Sequence, residues 1–167
     1  LEVIRTMIKN KKIGGKKLPP FEFIHINAMS LTNPNLVYTI LAEKIIGRRM
    51  NPQSAALFLD EFFKSKEKTR IAQKHMSKSS SSKVNKEAQR IGQKTRILLI
   101  DELDALITPK QNLLYNLFEW PCIKHSNLMV ISIANTMDLP ERLQSKITSR
   151  IGNERLVYEP YTADQIE

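Results

Sequence analysis

The sequence predicts an α/β protein with a parallel sheet flanked by helices. Two apolar stretches, ILLI at Ile97 to Ile100 and NLMVISIAN at Asn127 to Asn135, are typical of strands that helices cover on both faces. FEFIHIN, Phe21 to Asn27, alternates apolar and polar residues as a half-buried strand does. Helical patterns separate these strands, and strands joined through helices form parallel sheets. A last strand is predicted at Arg155 to Pro160.

Helix boundaries are marked by proline, asparagine and glycine. Pro34 opens one helix, which ends at Gly47, and Asn51 with Pro52 supplies an N-cap and a first-turn proline for the next. Further apolar residues at helical spacing predict helices in the remaining segments. The predicted helices cover Leu1 to Asn10, Pro34 to Ile46, Pro52 to Phe63, Gln111 to Pro121, a short helix beginning near Asp138, and Gln144 to Arg150.

Length and composition favour one folded core and exclude a membrane span. The chain has 167 residues, which is enough for a single α/β domain. No apolar run approaches the roughly 20 residues that cross a bilayer. Cys122 is the single cysteine and cannot form a disulfide within the chain. This favours a reducing compartment, the cytosol or the nucleus.

The positive charge is concentrated in one segment. From Lys64 to Arg96 there are eleven Lys or Arg and two acids, a net charge of +9 that equals the charge of the whole chain. Residues 65–95 contain few apolar side chains and include SKSSSSK, Ser77 to Lys83. We therefore predict that residues 65–95 form a flexible basic insertion with fragments of helix, suited to a polyanion, although solvated basic loops are also common.

Acids follow the first buried strand, in the sequence ILLIDELD. Parallel strands present ligands at their carboxyl ends, so Asp101 can hold a hydrated magnesium ion while Glu102 polarises a water molecule. This is the Walker B arrangement of a P-loop ATPase. The structural alternative is that the acids only cap the following helix. Asn135 ends the second buried strand in the same way.

The chain resembles the AAA+ ATPases, and within them the subunits of the eukaryotic origin recognition complex, the largest above all. The residues that carry the resemblance are LLIDELD, LLYNLFEWP, ISIANTMDLPERL and KITSRIGNERLVYEPYT, which lie between Arg96 and Glu167, together with INAMSLTNP at Ile26 to Pro34. A helicase-loading paralogue is the close alternative. TMDLPER and SRIG favour the initiator subunit, and they also weigh against a clamp-loader subunit.

The resemblance implies ATP and Mg²⁺ as cofactors and assigns a role to four residues. Asp101 would help to hold magnesium, and Glu102 would orient or activate the attacking water. Asn135 matches the sensor residue that contacts the γ-phosphate or that water. Arg150 matches the arginine finger that points into the neighbouring subunit's nucleotide site. The structural alternatives are that Asn135 satisfies backbone groups at a strand end and that Arg150 forms a surface ion pair.

The resemblance also implies partners and a location. They are double-stranded DNA at replication origins, other origin recognition complex subunits and a helicase-loading factor, in the nucleus. The basic segment lies where related initiators carry a helical element that faces DNA, so Lys64, Lys66, Lys68 and Arg70 are candidate phosphate contacts without sequence preference. A non-catalytic scaffold subunit is the alternative from another functional class.

A phosphate-binding Gly-rich loop is not found in the sequence. Gly14 and Gly15 precede two lysines, but the spacing is wrong and a helix, not a strand, is expected before them. By resemblance, the chain would start just after the P-loop and stop before the C-terminal lid, so the AAA+ core would be incomplete. The expectation is that these 167 residues alone bind ATP weakly and leave unpaired sheet edges.

Overall fold

The computed structural model describes residues 6, 12–13, 16–17, 21–65, 67–76, 82–136, 138–151 and 156–158. Strands are β1 Lys12–Ile13, β2 Lys16–Lys17, β3 Phe21–Asn27, β4 Thr95–Asp101 and β5 Leu128–Ser132. Helices are α1 Leu36–Ile46, α2 Pro52–Lys64, α3 Lys68–Met76, α4 Ser82–Gln93, α5 Asn112–Cys122, α6 Leu139–Arg142 and α7 Ser145–Ile151, with 3-10 turns at Ala28–Ser30 and Leu103–Leu106. The helix predicted at Leu1 to Asn10 lies outside the described residues, apart from Thr6. None of the helices in the described ranges is long and apolar enough to cross a membrane.

The main sheet is parallel and has the order β3-β4-β5. β4 is central, and its Leu98, Leu99 and Ile100 are at most 4% exposed, which confirms the buried strand predicted from the apolar run. Asn27 pairs with Asp101, and Ile100 pairs with Ser132. The ends of all three strands, and the polar residues that follow them, therefore lie at one edge of the sheet. β1 and β2 form a separate antiparallel pair.

Helix α5 supplies much of the core, as the LLYNLFEWP pattern predicts. Leu114, Leu117 and Trp120 are fully buried. The Trp120 ring packs against Tyr38 at 6.1 Å and Phe63 at 5.1 Å between centroids, and its indole N–H donates to Asp60 at 3.2 Å. Pro121 lies inside the helix, whose last residue is Cys122. The helix thus joins the sheet to α1 and α2 through aromatic contacts.

The described part of the basic segment contains two helices, where the sequence predicts a flexible insertion at 65–95 with fragments of helix. α3 and α4 pack against each other through small and apolar side chains at helical spacing: Ile71, Ala72, Ala88 and Ile91 are all buried. Gly92 lies against Thr69, where an added Cβ would come within 2.6 Å of Oγ1. Composition averaged over the segment conceals this short apolar stripe, which is enough to pair two helices.

Arg96 attaches this helical pair to the sheet. Its side chain is fully buried at the start of β4, and its Nη2 and Nη1 donate to the carbonyl oxygens of Ile91 at 2.8 Å and Lys94 at 3.1 Å. Its Nε lies 3.2 Å from Glu22 Oε2, in an ion pair that is not a well-aligned hydrogen bond. Burial lowers the pKa of Arg96, and the Glu22 carboxylate opposes that shift. A buried cation therefore satisfies the carboxyl end of α4.

The strand predicted at Arg155 to Pro160 is not formed in its described part. Leu156, Val157 and Tyr158 have no regular secondary structure and are 86%, 66% and 88% exposed. A strand requires a neighbour that pairs its backbone groups. Within the described ranges, nothing pairs with the outer edge of β5, where Met129 and Ile131 are 55% and 39% exposed. The last segment therefore lacks a strand with which to pair here.

Candidate active site

The chain turns sharply where β4 ends. Asp101 is the last residue of the strand, and Glu102 has φ 58° and ψ 52°, the left-handed conformation. The N–H of Glu102 donates to Asp101 Oδ1 at 3.1 Å. A residue with a Cβ adopts this conformation at a cost of roughly 1 to 2 kcal/mol, and such strain concentrates at functional sites. The turn presents two adjacent carboxylates at the edge of the sheet.

Asn135 lies beside Glu102, three residues beyond the end of β5. Its side-chain Nδ2 donates to Glu102 Oε2 at 2.8 Å. The backbone positions them because the N–H of Leu103 donates to Ile133 O and the N–H of Ile133 donates to Ile100 O, each at 2.9 Å. These two hydrogen bonds thus hold the segment that follows β4 against the segment that follows β5. Their contact brings together a carboxylate and an amide that are 33 positions apart in the chain.

Asp104 is a member of this site to which the sequence assigned no role. Its Oδ2 accepts a hydrogen bond from the Asn135 N–H at 2.8 Å, and its Oδ1 accepts one from the Thr136 hydroxyl. Burial raises the pKa of a carboxylate, but these hydrogen bonds outweigh it and the pKa of Asp104 is lowered. The feature of the sequence that could have indicated this role was the position of Asp104 three residues after Asp101. A single carboxylate therefore fixes the backbone that carries Asn135.

The donor set at Asp101 suits magnesium bound to a nucleotide. Asp101 is half-buried, and the Glu102 N–H is the one hydrogen-bond partner of its carboxylate among the described residues. No group of three His, Cys, Asp or Glu side chains that could enclose a metal occurs in the described part of the chain. Mg²⁺ in nucleotide sites keeps several waters and takes one or two carboxylates together with phosphate oxygens. One available carboxylate is therefore compatible with this ion.

Arg150 lies apart from this cluster, on α7. Its Nε donates to Glu119, its Nη1 to the Lys146 carbonyl oxygen and its Nη2 to the Tyr115 hydroxyl at 3.1 Å. The Glu119 carboxylate raises the pKa of Arg150. No described hydrogen bond or ion pair links Arg150 to Glu102 or Asn135. The structure thus brings Glu102 and Asn135 together and leaves Arg150 outside their contact.

The four candidate DNA contacts differ in their surroundings. Lys64 is on the surface at the end of α2 and pairs with Asp60 at 2.8 Å. Lys66 lies outside the described residues, as does the side chain of Arg70. Lys68 corrects the prediction, because it is 4% exposed and its amine donates to the carbonyl oxygens of His125 and Ser126.

The environment of Lys68 explains why a basic residue that was predicted to contact DNA is buried. The amine lies 5.7 Å and 6.0 Å from the ring centroids of Phe62 and Phe63. Burial lowers the pKa of Lys68 to about 8, and the nearby Arg96 adds to the shift. A lysine stem is apolar enough to pack against rings while its amine reaches carbonyl oxygens. In this structure a DNA phosphate cannot reach that amine.

Comparison with known proteins identifies the class. The chain belongs to the ATPase family associated with various cellular activities (AAA), whose model matches residues 6–157. This confirms the predicted class and the predicted α/β fold with a parallel sheet flanked by helices.

Individual relatives are more specific. The chain is 42% identical to origin recognition complex subunit 1 of Schizosaccharomyces pombe, over 99% of this chain and 20% of that protein. It is 36% identical to the human subunit 1, over 99% of this chain and 16% of that protein. A chain in a solved structure of Drosophila ORC bound to DNA is 28% identical, with a TM-score of 0.58 over 92% of this chain and 35% of that one. The predicted resemblance to origin recognition complex subunits is confirmed, and the chain spans at most a fifth of the length of these curated relatives.

Proposed function

We propose that this chain is the Walker B and sensor portion of an ATP-hydrolysing origin recognition complex subunit, which acts on duplex DNA and supports helicase loading. The observation that carries the proposal is the hydrogen bond from Asn135 to Glu102, beside Asp101. This contact supports the proposal because it pairs a carboxylate, which can accept a hydrogen bond from a water molecule, with an amide, which can donate one to a phosphate oxygen. The relatives' names support the origin recognition complex as the setting.

Each residue of the site has a distinct role in this proposal. Asp101 would hold Mg²⁺, which neutralises charge on the phosphate oxygens when bound. Glu102 accepts hydrogen bonds from the attacking water and orients it, and Asn135 donates to that water or to the terminal phosphate. Arg150 reaches the nucleotide of a neighbouring subunit. Phosphoryl transfer is catalysed mainly by such positioning and charge neutralisation.

DNA contact is proposed from charge and from the setting of the relatives. The excess of positive charge lies between Lys64 and Arg96. Lys64, Lys66 and Arg70 are the proposed phosphate contacts, and Lys68 is withdrawn because it is buried. Such contacts give binding that weakens with salt and has no sequence preference. The other proposed partners are further subunits of the complex and a helicase-loading factor, and the proposed location is the nucleus.

The test replaces Glu102 with glutamine in the full-length protein, assembled with its partner subunits and duplex DNA. We expect ATP hydrolysis to fall by about 10² to 10⁴-fold, because glutamine cannot accept the water proton, while ATP binding is kept. The matched control is Glu43→Gln, the same chemical change at an exposed residue of α1. Hydrolysis that is equal in the two variants would refute the proposed role of Glu102.

The same experiment distinguishes the scaffold alternative. If wild type and variant both fail to hydrolyse ATP but still bind DNA and partner subunits, the protein is a non-catalytic AAA subunit. A single-turnover assay, with the assembled complex in excess over ATP, makes this outcome clear, because slow product release cannot then mask the chemical step.

A further inference from the structure

The guanidinium of Arg150 is held by its own subunit at three nitrogens. Nε donates to the Glu119 carboxylate, Nη1 to the carbonyl oxygen of Lys146 and Nη2 to the Tyr115 hydroxyl. Its Cζ also lies 4.6 Å from the centre of the Tyr115 ring. The Arg150 and Glu119 side chains are 27% and 26% exposed, so the group lies at the surface but is not free in solvent.

Arg150 is held by a platform that consists of Tyr115 and Glu119, and this platform belongs to a helix anchored in the core. Tyr115 and Glu119 are one turn apart on α5, on the same side of that helix. Their helix is anchored by Leu117 and Trp120, which are fully buried. Ile147, also fully buried, anchors the helix that carries Arg150. Both ends of the contact therefore belong to elements fixed in the core.

The arrangement leaves part of the guanidinium available. Arginine has five N–H donors, of which three are used by Glu119, Tyr115 and the Lys146 carbonyl oxygen. One N–H on each terminal nitrogen has no acceptor among the described residues. Two donors in a fixed plane match a pair of phosphate oxygens. Holding the group beforehand also removes much of the rotamer entropy that a free arginine would lose on binding.

We propose that Tyr115 and Glu119 are positioning residues that fix Arg150 for the phosphates of a neighbouring subunit's nucleotide. The inference rests on the proposed function, in which Arg150 acts across the subunit interface. A simple surface ion pair accounts less well for the geometry, because it needs neither a stacked ring nor three converging acceptors. The Nζ of Lys146 lies 5.1 Å from the centroid of the Tyr115 ring and adds positive charge to the same surface.

The test is a double-mutant cycle in the assembled full-length complex, with hydrolysis at the neighbouring site as the readout. We expect Arg150→Ala to lower kcat there by about 10³-fold or more, as removal of an arginine finger does. Glu119→Ala should lower kcat by about 10- to 100-fold with little change in KM, because the guanidinium is misplaced and not lost. Glu119→Gln, which keeps an acceptor for Nε, should recover part of this loss.

The decisive combination is Glu119→Ala with Arg150→Ala. If Glu119 acts through Arg150, the double variant matches Arg150→Ala alone. The control is Glu61→Ala, which breaks a surface contact with Lys74 at 3.7 Å away from this platform and should leave kcat unchanged. Assembly of every variant is checked by size-exclusion chromatography.

Other outcomes distinguish the proposed function of Arg150 from the proposed positioning role of Tyr115 and Glu119. If Arg150→Ala has no effect, the proposed function of Arg150 fails and the positioning role fails with it. If Arg150→Ala lowers kcat but Glu119→Ala leaves it within about twofold, the positioning role alone is overturned. Additive losses in the double variant overturn it too. A faster rate in Glu119→Ala would show that Glu119 restrains Arg150, which also contradicts positioning.

Discussion

Replacing Gly92 with alanine tests the close approach of the two helices in the basic segment. An added Cβ would lie 2.6 Å from Thr69 Oγ1, 2.8 Å from Thr69 N and 3.2 Å from Thr69 Cα. Favourable contacts between such atoms begin at roughly 3.5 Å, so α3 and α4 would have to move apart. Since two of the three atoms belong to the backbone, a change of side-chain rotamer cannot relieve the contact.

The size of the effect follows from two opposing contributions. Alanine in a helix interior is more favourable than glycine by about 1 kcal/mol. Overpacking at a tight contact costs about 1 to 3 kcal/mol. We therefore expect Gly92→Ala to lower the free energy of local opening by about 1 kcal/mol, where an uncrowded helical site would raise it by a similar amount. Native-state hydrogen exchange of the α3 and α4 amides measures this free energy.

Two controls test whether the close contact with Thr69 is the cause of the destabilisation by Gly92→Ala. Thr69→Ala removes Oγ1 but leaves Thr69 N and Cα, so Gly92→Ala should still destabilise the pair in that background. Gly47 has φ 70° and nothing within 4 Å of an added Cβ, so its substitution is costly through backbone conformation alone. Asparagine should recover stability at Gly47 but not at Gly92. Unchanged or increased protection in Gly92→Ala would refute the close contact.

Two further predictions concern Lys68 and Asp104. Lys68 has a pKa of about 8 in the folded state and 10.5 ordinarily, so the unfolded chain binds more protons between these values and stability rises with pH there, by at most about 3 kcal/mol. Lys68→Met should lack this rise in denaturant unfolding from pH 7 to 10.5, and parallel profiles would contradict the burial of a charged amine. Asp104→Ala removes the acceptors for the Asn135 N–H and the Thr136 hydroxyl. Hydrolysis in the full-length complex should fall about 10- to 100-fold with ATP binding kept, whereas an unchanged rate would show that the Asn135 loop needs no such support.

Local sequence patterns were sufficient to predict the strands of the parallel sheet and most of the helices. The alternation of FEFIHIN predicted Phe21–Asn27, and the Asn51-Pro52 pair predicted the start of α2, because Asn51 Oδ1 caps the Ser54 N–H at 2.8 Å. These signals depend on a few neighbouring residues. The rule that parallel strands end at a common edge then brought Glu102 and Asn135 to the same region.

The prediction for Lys68 failed because the sign of its charge was taken as a guide to its position. Lys68 and Arg96 are basic, yet both are buried beside the Phe62 ring. Lys68 donates to the carbonyl oxygen of Ser126, and Arg96 pairs with the Glu22 carboxylate, and both of these partners come from distant parts of the chain. Whether a lysine or arginine is solvated or buried depends on whether such acceptors are available, and no local pattern reports that.

The sequence by itself determined the class of fold, the three strands of the parallel sheet and the position of Asp101, Glu102 and Asn135 at the ends of strands. These features follow from periodicity and strand direction, which are properties of short segments. Tertiary structure alone decided that Asp104 fixes the Asn135 backbone, that α3 and α4 pair at Gly92, and that Arg150 is held by Tyr115 and Glu119. Each of these depends on contacts between residues more than twenty positions apart, and their geometry exists only once the chain has packed.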